Sequence, residues 1–240
     1  MRTAADVIDG RSVSEAWLKT VIRLNREREP RLFHVITRIA EPTAEIPIIR
    51  AAADELLEAL NFHSVRTVAN TIFPQALAAT TADSDELAER YRAVYRTLKQ
   101  LDKHNRPGTY FLRLVSYPAG GGRGFDQLSD LIRKLRKETK NQGPKSARYE
   151  VNIESAADRE RSTAYDAAQD SEPDEDQATG TLGVYAAAKD TNPMSFPCLS
   201  FCAFQFDRGF LHMVAHYRSQ YLIQRGYGNY LGLGQLLGYQ

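Results

Sequence analysis

Near the end of the chain, two stretches dense in apolar and aromatic residues, Cys198 to Phe206 and Phe210 to Tyr217, are separated only by Asp207, Arg208 and Gly209. Three residues that include a glycine suit a tight hairpin turn. The two stretches are therefore expected to be antiparallel strands, and strands of this kind belong in a sheet that helices cover. Helices are available upstream. Ser12 to Leu24 carries Val13, Trp17, Val21 and Leu24 at helical spacing, and Ile49, Ala53, Leu56, Leu57 and Leu60 line one face of a second helix. Asp83 with Glu86 three residues on is a capping-box-like start, and Leu87, Tyr91, Val94, Tyr95, Leu98 and Leu101 continue a third helix. Core packing is the expected role of all three stripes.

The middle of the chain changes character. Thr109 to Tyr117, rich in aromatic and branched residues, reads as a strand after Pro107 and Gly108. Gly120, Gly121, Gly122 and Gly124 read as a loop, because the Lys-Ser/Thr pair of a phosphate cradle and the full dinucleotide fingerprint are both missing. Phe125, Leu128, Leu131, Ile132 and Leu135 mark an amphipathic helix whose other face, with Arg133, Lys134, Arg136 and Lys137, is a solvated surface. Tyr149, Val151 and Ile153 alternate as a strand. From about 155 to 193 the chain is acidic and poor in large apolar residues, with Asp166, Asp170, Glu172, Asp174, Glu175 and Asp176 in sequence. That composition buries little apolar surface and reads as an insertion. Asn229 to Tyr239 reads as a helix.

The resulting architecture is α/β: a mixed sheet covered by helices, with a helical N-terminal portion over 1–105 and a core over 106–240. Lys plus Arg total 31 and Asp plus Glu total 30, which argues against a nucleic-acid binder. No run of eighteen apolar residues predicts a membrane helix, and the first ten residues are not a signal peptide. Two cysteines do not make a disulfide framework, so a cytoplasmic location is expected. His212 and His216, four apart on a strand, have no carboxylate pattern near them, and no metal site is expected.

The chemistry-bearing residues are Cys198, Arg218, Ser219 and Asn229. A guanidinium near a cysteine favours the thiolate and makes a nucleophile. An Arg-Ser pair offers donors to a phosphate, and an asparagine offers the paired donor and acceptor that suit a base edge. Their order and spacing resemble the thymidylate synthase superfamily, which includes the pyrimidine nucleotide hydroxymethylases. Pro197-Cys198 is followed by the Asp207-Arg208-Gly209 turn, then by Arg218-Ser219 twenty residues after the cysteine, then by Asn229 eleven residues after the arginine. Asp126-Gln127 at a helix start, then Pro144, Ser146 and Arg148 before the strand at Tyr149, and Tyr117 upstream, extend the resemblance.

The resemblance implies a thymidylate-synthase-like fold and a C5 methyl- or hydroxymethyltransferase. It implies Cys198 as the nucleophile that adds to C6 of a pyrimidine nucleoside monophosphate. Arg218 and Ser219 would hold the phosphate, with Arg148 reaching it from the partner of a homodimer. Asn229 would read a uridylate-type base, and 5,10-methylenetetrahydrofolate would carry the one-carbon unit. Several positions depart from the family pattern. Leu199 stands where a histidine follows the cysteine, Tyr217 where a glutamine precedes the arginine, Tyr221 where an acid helps organise the substrate and folate site, and Ala147 in the Arg-Arg pair. These departures keep a second expectation open, a non-catalytic nucleotide-binding or dimeric interaction protein of the same fold.

Overall fold

The computed structural model describes residues 5–101, 109–118, 124–140, 149–153 and 198–239. Within them the chain is mixed α/β with two small sheets. The chain divides into two compact units, Met1–Phe73 with Gln220–Tyr239, and Pro74–Ser219.

The first unit opens with two strands inside the stretch expected to be helical. β1 (Asp6–Ser12) and β2 (Val35–Glu41) pair in parallel, with Val7 opposite Ile36 and Asp9 opposite Arg38. Parallel neighbours need a crossover, and α1 (Val13–Leu24) supplies it, capped by Ser12, whose hydroxyl accepts from Glu15 N at 3.2 Å. The strands escape sequence reading because Asp6, Asp9, Arg11 and Arg38 blur the apolar alternation that marks a strand. Gly10 is the point of closest approach: a Cβ there would lie 2.6 Å from Ala16 of the overlying helix. α2 (Pro47–Ala59) and α3 (Val65–Ile72) follow, and the last helix, here α8 (Tyr227–Tyr239), belongs to the same unit. Val13, Trp17, Ala53, Leu57, Val65, Ala69, Tyr227 and Leu231 form its buried core. Ser14 sits at the centre, hydrogen-bonded to the Tyr227 hydroxyl at 2.6 Å and accepting from Ile46 N at 2.7 Å.

α8 presses directly on α3. A Cβ on Gly232 would meet the Ala69 carbonyl oxygen at 2.7 Å, so only glycine permits this spacing. The helix is preceded by a wide turn, Leu222–Gly226, in which Gly226 N donates to Tyr221 O at 3.1 Å, five residues back. Trp17 Nε1 donates to the Leu222 carbonyl in that turn at 3.0 Å.

The second unit contains α4 (Gln75–Ala78), α5 (Ser84–Leu101), α6 (Tyr110–Val115), α7 (Gln127–Lys140) and an antiparallel sheet in the order β3 (Tyr149–Asn152), β4 (Leu199–Asp207), β5 (Phe210–Tyr217). The expected hairpin is present, with Arg208 and Gly209 both at positive φ in its turn. The expected start of α5 is present too: Asp83 accepts from Glu86 N at 2.9 Å, while the Glu86 carboxylate reaches back to Ala82 N at 2.7 Å. Thr109 to Tyr117, expected as a strand, is instead the helix α6. The run is apolar enough to suit either state, and two local facts settle it. Thr109 caps the helix, accepting from Leu112 N at 3.0 Å, and Phe111, Leu114 and Val115 are buried at helical spacing.

Gln127 joins helix to sheet. Its amide nitrogen donates to Asn152 O at 2.8 Å and to Arg113 O at 3.0 Å, and its amide oxygen accepts from Asn152 N at 3.0 Å. The side chain thus pairs with the edge of β3 much as another strand would. Asp126 caps the same helix, accepting from Ser129 N at 2.9 Å.

Two stability predictions follow from these packing facts. Gln127→Ala leaves the Asn152 and Arg113 groups without this partner and is expected to cost about 2 kcal/mol in urea unfolding. Gly232→Ala forces α8 off α3 and is expected to cost about 1–3 kcal/mol by the same measurement. A change within about 0.5 kcal/mol for either would show that the contact does not matter.

Candidate active site

The β4–β5 hairpin brings the first two candidate residues together. Arg218 N donates to the Cys198 carbonyl at 2.8 Å, and the next pair in the ladder is Leu199 opposite Tyr217. Cys198 and Arg218 therefore face each other directly across the strands. Directly opposed residues share a face, with Cβ atoms about 4.5–5.5 Å apart. Twenty residues separate them in sequence because two strands and a tight turn lie between them.

A bulge decides which face they share. The ladder runs Leu199–Tyr217 and then Phe201–His216, so Ser200 is an extra residue on β4. Leu199, Cys202 and Phe204 are each 1% exposed and point to the covered side. Cys198, Phe201 and Ala203 consequently lie on the other side, with Arg218, His216 and Val214. Without the extra residue Cys198 and Cys202, four apart, would share one face. With it, Cys198 is half-buried on the open side and Cys202 is fully buried. Burial pushes the Cys202 thiol up to about 12 and makes it inert.

Ser219 follows Arg218 at the end of β5 and is exposed. Tyr117 is half-buried and pairs with Phe125 through two backbone hydrogen bonds of 2.8 and 2.7 Å. Asn229 lies in the first unit, in the opening turn of α8, and is 4% exposed. Arg148, Pro197 and the acidic segment expected over 155–193 lie outside the described residues.

Two departures from the family pattern coincide. Leu199 and Tyr217, in place of a histidine and a glutamine, are directly opposite each other, one rung inward from Cys198 and Arg218. Tyr221 is 54% exposed. A phenol cannot take the part of the acid that helps organise the folate site in that family, so these residues do not fit methylenetetrahydrofolate in the family manner.

Sequence reasoning did not anticipate the bulge or the stack of Phe201 on His216, whose ring centroids are 5.4 Å apart at 12°. The signal for the bulge was present: the buried positions run 199, then 202 and 204, a change of phase within one strand. His212 and His216 are both exposed, and no group of three or more metal-ligating side chains occurs among the described residues. No described helix is long and apolar enough to cross a membrane. No protein-family model matches the chain, and no curated protein or solved structure matches it either.

The two thiols should separate cleanly by reactivity. A water-soluble thiol reagent is expected to modify one cysteine in the folded protein and both in denaturant, and Cys198→Ser should abolish the native labelling. Native labelling of Cys202 would contradict the assignment of faces.

Proposed function

We propose that the protein is a thymidylate-synthase-like enzyme that adds Cys198 to C6 of a pyrimidine nucleoside monophosphate and activates C5 for methyl or hydroxymethyl transfer. The observation that carries the reading is the rung on which Cys198 and Arg218 stand opposite each other, joined by the backbone bond from Arg218 N to Cys198 O; a guanidinium beside the thiol would favour the thiolate. In the proposed step the C6–S bond forms and the C5–C6 π electrons move to C5 and the O4 side. The C5 proton is then exchangeable with water, and reversal restores the free thiol. Arg218 and Ser219 would bind the phosphate, and the charge of Arg218 would serve the thiolate as well. Arg148 and Tyr117 keep the supporting roles that the resemblance implies. Asn229 would read a uridylate-type base, as the resemblance implies. A homodimer goes with the reading. Phe210 at 70% and Val214 at 66% exposure supply apolar surface on the sheet that a partner would cover.

The test is release of tritium from C5 of dUMP, UMP, dCMP and CMP, with and without methylenetetrahydrofolate. Release from a uridylate that is lost in Cys198→Ser is the expected result. Dependence on the folate would name the carbon donor, and independence would confine the chemistry to C6 addition and exchange. Binding of a nucleotide without release in the folded protein would replace this reading with the non-catalytic one.

A further inference from the structure

A thiol that acts as a nucleophile must first give up its proton, and the ladder places an imidazole on the face of Cys198. His216 stands two residues before Arg218 on β5 and on the same face as Cys198. Because Cys198 faces Arg218 directly, His216 is the diagonal neighbour of the thiol. Diagonal neighbours on an antiparallel face lie about 7–8 Å apart, within reach of long side chains. The imidazole is held by its cross-strand partner, stacked at 12° on Phe201. The bulge at Ser200 makes this possible, since it brings Phe201 onto the face of Cys198.

The other titratable or charged groups on this face are Arg218, just past β5, His212 on β5, Asp207 at the far end of β4 and Glu150 on β3, opposite Ala203. The residue that directly follows the thiol, Leu199, is buried on the far side and can accept no proton.

We propose that His216 is the proton acceptor of Cys198. The S–H bond breaks and an N–H bond forms on the imidazole, leaving a thiolate beside Arg218 and an imidazolium stacked on Phe201. No oxidant or reductant takes part. The proton is available for return when the thiol is released. The inference rests on Cys198 being the nucleophile of the proposed reaction, but it does not depend on which electrophile the thiol attacks.

Alkylation by iodoacetamide tests it, because the C–S bond forms and iodide leaves with no nucleotide required. The rate at Cys198 is followed by mass spectrometry from about pH 5 to about pH 9, a range that spans ordinary imidazole and thiol titration. The proteins are the wild type, Arg218→Gln and His216→Phe, the last keeping a ring to stack on Phe201. The wild type is expected to react well below the ordinary thiol range of about 8.5, with a step that belongs to an imidazole. His216→Phe should lose that step and react about tenfold more slowly at neutral pH, an effect equal to one unit of thiol titration. Arg218→Gln should slow the reaction and keep the step. Thermal unfolding is recorded for each, and His216→Gln replaces any His216→Phe that does not fold. A single wild-type step at the ordinary thiol value overturns the proposal without any variant, as does a folded His216 variant with the wild-type profile. Tritium release reports separately on the nucleotide reading. Exchange that survives in a folded His216→Phe refutes the acceptor and spares the enzyme, whereas an imidazole-dependent thiol with no exchange spares the acceptor and refutes the substrate.

Discussion

The pairing of β4 with β5 is the constraint on which the candidate chemistry depends. Backbone hydrogen bonds between these strands set the register, and register decides which side chains meet. The hairpin turn at Arg208 and Gly209 holds one end and the bond from Arg218 N to Cys198 O the other. Between them one extra residue, Ser200, changes the phase of β4. A one-residue change of phase carries the side chains beyond it to the opposite face. That is how a chain with two cysteines at the same parity keeps one in the core and presents the other. Reactivity is here a property of backbone geometry before it is one of side-chain chemistry.

In the first unit the organising contact is the close approach of α8 to α3. Gly228 and Gly232, one helical turn apart, both lie against α3, at Val68 and Ala69 respectively. A helix held this tightly has little freedom to shift, so the side chains in its first turn are fixed in place. Asn229 lies beside Gly228 in that turn. Tyr227, two residues earlier, is fixed as well by its hydroxyl, which is hydrogen-bonded to Ser14.

Much of the helical structure was legible in the sequence, because apolar spacing and capping residues are local signals. Ser12 before α1, Asp83 before α5 and Asp126 before α7 each sit at the cap and accept a backbone N–H of the first turn. The hairpin was legible for the same reason. β1 and β2 were not, since their outward positions carry Asp9, Arg11 and Arg38, and the partner that makes them strands lies beyond the local window. Thr109 to Tyr117 misled through its aromatic residues, whose preference for strands gave way to the Thr109 cap and to packing of Phe111 on Tyr91, ring centroids 4.7 Å apart. Of the site, the opposition of Cys198 and Arg218 could be read from spacing and the turn between them. The stack of His216 on Phe201 could not, because it exists only once the bulge has set the register.

The departures from the family pattern take on a different meaning in this geometry. Leu199 and Tyr217 are far apart in sequence and read as two separate losses. In the ladder they form one rung that faces the covered side, next to the rung of Cys198 and Arg218, which faces the open side. A histidine at 199 would stand where the side chain is now 1% exposed and would need hydrogen-bonding partners there. Leu199 makes no such demand. On the open face the register sets His216 on the same side as Cys198, and this placement is what the proposed proton acceptor rests on.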